Sequence, residues 1–203
     1  MRNAQVRIPA LVCLALVLAA PLSAARADEV ADNGAFTQRL FAVKSFEKKT
    51  YACFVRRYDA KHLAQHPRQK VSAMRVLLTA EKLPEDGELH YAFQVGVNFR
   101  NQRTNFASSG DCGHTEASES NKGELVINCS VECDGGGIAV GLAADDKAVM
   151  LRLERMHLWG PKDEERELEA GADDGVFRLD RVDTLECASL VTDHAEQAAL
   201  RHK

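Results

Sequence analysis

The residues of this chain that could do chemistry are its cysteines and a few of its histidines. Cys112-Gly113-His114 lies shortly before the stretch 125–137 (LVINCSVECDGGG), which carries Cys129 and Cys133. Three sulfurs and one imidazole form a set that zinc accepts, so Cys112, His114, Cys129 and Cys133 outline one metal centre. The spacing holds no CxxC pair, and in an oxidising compartment the same cysteines serve as crosslinks. Along one strand Cys129 and Cys133 would stand roughly 13 Å apart, at about 3.3 Å rise per residue. Disulfide Cα atoms must approach within about 7 Å, so each of the two needs a partner elsewhere. Cys112, just ahead of the strand, is expected to pair first with Cys133 and second with Cys129. The first choice leaves Cys129 as the surplus thiol. Cys53 and Cys187, near the two ends of the chain, are expected to bridge the first strand to the last region.

Other chemistry fails on spacing. His62 and His66 are four apart and would share a helix face, but their segment stops at Pro67 and reads as a solvated turn. Ser108, Ser109, Ser118 and Ser120 sit in no nucleophile motif. Asp134-Gly-Gly-Gly137 lacks the GK[ST] of a phosphate loop and reads as a turn. The acids of 163–169 lack the spacing of a calcium loop. No catalytic residue, metal ligand or cofactor is assigned on these grounds.

The elements that must position these residues are mostly strands. Leu89, Tyr91, Phe93, Val95, Val97 and Phe99 alternate with His90, Ala92, Gln94, Gly96, Asn98 and Arg100. Strict alternation predicts one buried face and one that is wet or lines a cavity. His90, Gln94, Asn98 and Arg100 are therefore the candidate ligand-facing residues, and Gly96 marks a possible bend. Further strands are expected at 51–57, 71–80, 104–108, 125–134, 138–142, 149–153 and 176–180. The stretch 36–47, with Phe36, Leu40, Val43 and Phe46 at helical spacing, predicts a short amphipathic helix. Asp59 can cap a single helical turn. Residues 109–123, which hold Cys112 and His114, read as a loop. The acidic stretch 162–175 reads as a loop or an exposed helical turn, and 192–203 as a polar tail, either a frayed helix or disordered. Met156–Pro161 holds the sole tryptophan, Trp159, a candidate anchor for a protein partner.

About eight strands with short connections predict an all-β, mainly antiparallel chain. It would form an up-and-down meander, as a barrel or a two-sheet sandwich, with a short N-terminal helix; the short turns favour the barrel. In architecture alone this pattern resembles small secreted barrels of the lipocalin or avidin type, which implies a fold and no activity.

Residues 1–27 read as an export leader. Arg2 and Arg7 precede a short apolar run, and Ala25-Arg26-Ala27 is a small-x-small cleavage site. The run is too short to span a bilayer, which takes roughly 20 apolar residues. Cleavage would leave 176 of the 203 residues, a single β-rich domain at 28–191 followed by the tail. It would also remove three arginines, taking the net charge from −4 to about −7. Such a balance argues against nucleic acid and anionic membrane surfaces as partners, although a local basic patch can still form. The sequence thus points to an exported, periplasmic or secreted, disulfide-stabilised β protein without a membrane span. It leans away from catalysis. It would bind a small molecule or, alternatively, contact or inhibit another envelope protein. A metalloprotein using Cys112, His114, Cys129 and Cys133 is the third alternative.

Overall fold

The structure, a computed structural model, describes residues 34–115 and 125–201. The expected leader, Cys13 and the part of the 109–123 loop from 116 onward lie outside the described residues. Among the described residues nine strands follow one another: β1 (Thr50–Arg57), β2 (Val71–Lys82), β3 (Leu89–Phe99), β4 (Asn105–Thr115), β5 (Val126–Val131), β6 (Gly136–Leu142), β7 (Ala148–Trp159), β8 (Glu165–Glu169) and β9 (Val176–Val182). Helix α1 covers residues 34–41, α2 is Ala60–Gln65, and α3 is His194–Arg201.

Strands β1 to β7 form an antiparallel meander, and β9 fits between β7 and β1. Eight strands therefore close into a barrel, and β8 is an extra strand on the far half of β7. The alternation seen in β3 holds through the fold. Ala52 and Phe54 of β1, Met74, Val76 and Leu78 of β2, and Phe93, Val95 and Val97 of β3 meet Ile127, Val140, Leu151 and Phe177 in one buried cluster. The described outer face carries His90, Asp111, Asn128 and Glu154 as exposed residues, the reverse of a lipid-facing barrel. No helix among the described residues is long and apolar enough to cross a membrane.

One mouth of the barrel is stoppered by α1, which buries Phe36, Thr37, Leu40 and Phe41. The helix ends earlier than its apolar spacing predicts, because Ala42 turns into the left-handed region at φ 54°. Arg181 of β9 holds the stopper down. Its guanidinium donates to the carbonyls of Leu40 (3.0 Å), Arg39 (3.1 Å) and, at the β6–β7 turn, Asp146 (3.1 Å). It also lies 4.7 Å over the Phe54 ring. Burial lowers the Arg181 pKa, and the three carbonyls replace the water that the guanidinium loses.

The outer side of β1 and β2 is covered, not wet. A 3-10 helix, Thr184–Leu190, and α3 pack over Tyr51, Cys53, Val55 and Leu77. Of the two readings of 192–203, the helix is the one seen: α3 docks on this face, with Leu200 only 1% exposed. Gly96 leaves room for Leu190, whose Cδ2 would lie 2.6 Å from an added Cβ.

Two more elements differ from the sequence pattern. Strand β4 runs through Cys112 and His114, so neither sits in a loop; its inward positions include the small Ser108 and Gly110, which hide the alternation. A Cβ at Gly110 would overlap the Ser130 carbonyl on the neighbouring strand. The acidic stretch forms β8, which turns Leu168 inward and leaves Glu165, Glu167 and Glu169 exposed. Such an acidic edge strand discourages pairing with other chains.

The Cys53–Cys187 bridge spans 134 residues and fastens the outer cover to the strand that closes the barrel. Replacing both by serine (Cys53→Ser with Cys187→Ser) is expected to lower stability by about 2–4 kcal/mol, measured as a fall in the denaturant midpoint. An unchanged midpoint would show that closure does not use the bridge.

Candidate functional site

Every element that could hold a ligand must first find space, and the barrel interior has little. Side chains from the strands and α1 fill it, with Phe54, Phe93, Phe106 and Phe177 each at most 1% exposed. The concave places lie outside the barrel or at the end away from α1.

The sequence-derived metal set does not assemble. Cys112 and Cys129 face each other across β4 and β5 and are bonded, with Cα atoms 4.0 Å apart. This corrects the expected Cys112–Cys133 pairing: Cys133, not Cys129, is the free thiol, and it is exposed. The reason is a turn. Strand β5 stops at Val131, and Cys133 and Asp134 both take positive φ, 55° and 59°. The chain therefore swings Cys133 off the face that Cys129 occupies. Cys53 is bonded to Cys187.

His114 instead belongs to the stoppered mouth. Its Nε2 lies 3.1 Å from the Thr37 hydroxyl and 3.4 Å from that of Tyr91. Its ring meets Phe36 and Tyr91 edge-on, and burial lowers its pKa. A hydroxyl beside an imidazole invites a nucleophile reading. Among the described residues no carboxylate bonds the ring, and Thr37 is only 1% exposed, so a substrate could not reach it. The grouping joins α1 to β3 and β4.

The candidate residues of β3 are spread along its outer side, over roughly 33 Å at 3.3 Å per residue. His90 pairs with Asp86 at 2.8 Å. Asp86, Glu88 and His90 bring ligand atoms within 4.8 Å of one another, but all three are exposed where the turn enters β3. The Glu88 N–H and His90 both lower the Asp86 pKa, so that carboxylate already has partners. The Asn98 amide donates to the Thr104 carbonyl. Gln94 lines a groove with Lys49, Ser109, Asp111 and Trp159. Arg100 falls at the open end of the barrel. His62 and His66 stack in a column on Tyr58, with centroids 4.5 and 4.3 Å apart. Asp59 caps α2 by accepting the His62 N–H at 2.7 Å.

Trp159 is 43% exposed, yet its backbone is fixed on both sides. It pairs with Ala107 of β4 and with Glu165 of β8, and His157 packs at 4.6 Å from its ring. The groove beside it holds about 450 Å³.

At the open end, a cleft of about 650 Å³ lies between the loop before β2, the β3–β4 turn and β8. Arg68, Lys70, Arg100 and Arg166 line it, with Glu167 as its acid. Sequence reasoning missed it, because its cations come from three separate segments of an acidic chain.

Comparison with protein-family models, with curated proteins and with solved structures finds no match.

Two outcomes follow from these placements. Thiol counting on the native chain from residue 28 onward should give one reactive group, mapped to Cys133, with a 112–129 peptide link; a reactive Cys129 would contradict the register of β4 and β5. His114 has a lower pKa folded than its usual 6.5, so the unfolded chain binds the proton more readily. Stability is then expected to fall as pH drops below about 6.5, levelling once the lowered folded pKa is passed. His114→Gln should flatten that slope in denaturation midpoints taken across the window; an unchanged slope would assign it to other groups.

Proposed function

We propose that this chain is an exported, non-catalytic binding protein of the cell envelope, and that it grips a protein partner at Trp159. The observation that carries the proposal is a large aromatic side chain held in solvent by a rigid backbone. A tryptophan on a paired strand loses little conformational freedom when a partner covers it, and such residues dominate interface energies. The adjacent groove offers polar neighbours, Gln94, Ser109 and Asp111, of the kind found at an interface rim. The two disulfides support residence in an oxidising compartment, periplasmic or secreted. A small molecule held inside the barrel is the weaker reading, since the interior positions are occupied by packed side chains.

The test uses the single tryptophan as its own reporter. Partners retained from an envelope extract by the wild-type chain should be lost by Trp159→Ala, with at least about a 30-fold weaker affinity. Binding should also blue-shift the Trp159 emission and shield it from acrylamide. Equal retention by both chains, with emission unmoved, would refute Trp159 as the anchor.

A further inference from the structure

The cleft at the open end of the barrel has an electrostatic character that its surroundings lack. The chain as a whole carries a formal charge of −4, yet Arg68, Lys70, Arg100 and Arg166 converge on one depression. How each cation is held decides what it can still do.

Arg100 is anchored without being neutralised. Its Nη1 donates to the carbonyls of His66 (3.2 Å), Pro67 (3.4 Å) and Gln69 (3.5 Å). Those contacts tether one end of the guanidinium, and its Nη2 and Nε take no partner among the described residues. Lys70 is exposed, and its ammonium meets no carboxylate among the described residues. Its backbone is pinned instead: the Lys70 N–H donates to Asp174 at 2.6 Å, and Val71 N–H to the same carboxylate at 3.2 Å. Asp174 is fully buried and is occupied in tying the β8–β9 connection to the start of β2. Arg68 has a loose contact with Asp173, at 3.9 Å.

Arg166 supplies the opposite wall. Its guanidinium lies 5.4 Å from the Phe99 centroid and 4.9 Å from that of Phe106. Glu164 takes its Nε and Nη2, at 3.2 and 3.1 Å, which leaves Nη1 without a partner among the described residues. The acid of the cleft, Glu167, is committed to Arg155 at 3.1 Å. Stacking on aromatic faces and bonding to carbonyls both hold guanidinium groups in place before a ligand arrives, which lowers the entropy cost of binding.

We infer that this cleft is a binding site for a phosphate monoester group. Lys70 and Arg100, the two cations without a carboxylate partner, match the roughly −1.5 to −2 charge of such a group. The unspent guanidinium N–H donors of Arg100 and Arg166 suit its oxygens, which accept paired N–H bonds better than a point charge alone. The volume of about 650 Å³ exceeds what the phosphate alone needs and leaves room for the rest of a small ligand. The site is independent of the proposed Trp159 contact.

The experiment is calorimetric titration of the exported chain with inorganic phosphate and with glycerol 3-phosphate, in parallel with co-sedimentation on phosphatidylcholine vesicles carrying phosphatidic acid. Saturable binding of the soluble phosphates, weakened by added salt, is expected. Arg68→Gln with Lys70→Gln removes two exposed charges without touching the packing, and should weaken binding about tenfold. Arg166→Gln should act in the same direction. Lys44→Gln with Lys48→Gln, which removes two charges elsewhere, should leave binding as in the wild type. Vesicle binding that also needs Lys70 and Arg166 would identify the source as a lipid headgroup; soluble phosphates alone would identify a free ligand. The inference fails if the wild-type chain binds none of these probes, or if the control pair weakens binding as much as the cleft pair.

Discussion

The fold depends on one seam, where β9 must pair with β7 on one side and β1 on the other. The β1 side of that seam is short: Cys53, Phe54 and Val55 meet Val182, Arg181 and Asp180. Three paired residues alone would hold weakly. The seam is reinforced from both surfaces. Inside, Arg181 ties β9 to α1 and to the β6–β7 turn through three carbonyls. Outside, the Cys53–Cys187 bond clamps a 3-10 helix and α3 over β1, the other strand of the seam. Closure removes sheet edges from most of the barrel and compels the inward faces to fill one another.

Because the interior is filled, the chemistry of the molecule is displaced to its surface. The two mouths then differ. One is closed by α1 and by the Thr37–His114–Tyr91 contacts. At the other, β8 and β9 together run alongside β7 and are interrupted at 170–175, where Asp174 bridges to β2. Since β8 reaches no strand on its second side, a gap remains, and the basic cleft occupies it. Closure on one flank and the gap on the other follow from the same arrangement, a lane of the barrel built from two short strands.

Much of this was legible in the letters, for physical reasons that also explain the failures. The strand 89–99 shows its alternation because large apolar residues fill every inward position. Strand β4 does not, since inward space there is taken by neighbours and only Ser108 and Gly110 fit. Strand β8, ERELE, carries its single buried apolar residue, Leu168, between exposed acids, too little for a pattern. Strand β1 looks half wet in one-dimensional terms, yet both faces are buried, because its outer cover comes from residues more than a hundred positions later. The pairing of Cys112 depends on the register between β4 and β5 and on a positive-φ turn at Cys133, neither of which spacing encodes. The basic cleft is a tertiary product: Arg100 was visible as an alternating residue, while Lys70 and Arg166 gained meaning only when three segments met.

The central claim is that the barrel is closed and full, which leaves only its outside to a ligand. Its most direct test is titration of the native chain with a neutral apolar fluorophore, N-phenyl-1-naphthylamine, which has no charge to engage the surface cations. The account predicts no saturable uptake until the fold is denatured. One-to-one binding in the native state, lost when Phe93 or Met74 is enlarged to tryptophan, would reveal an open interior and contradict it.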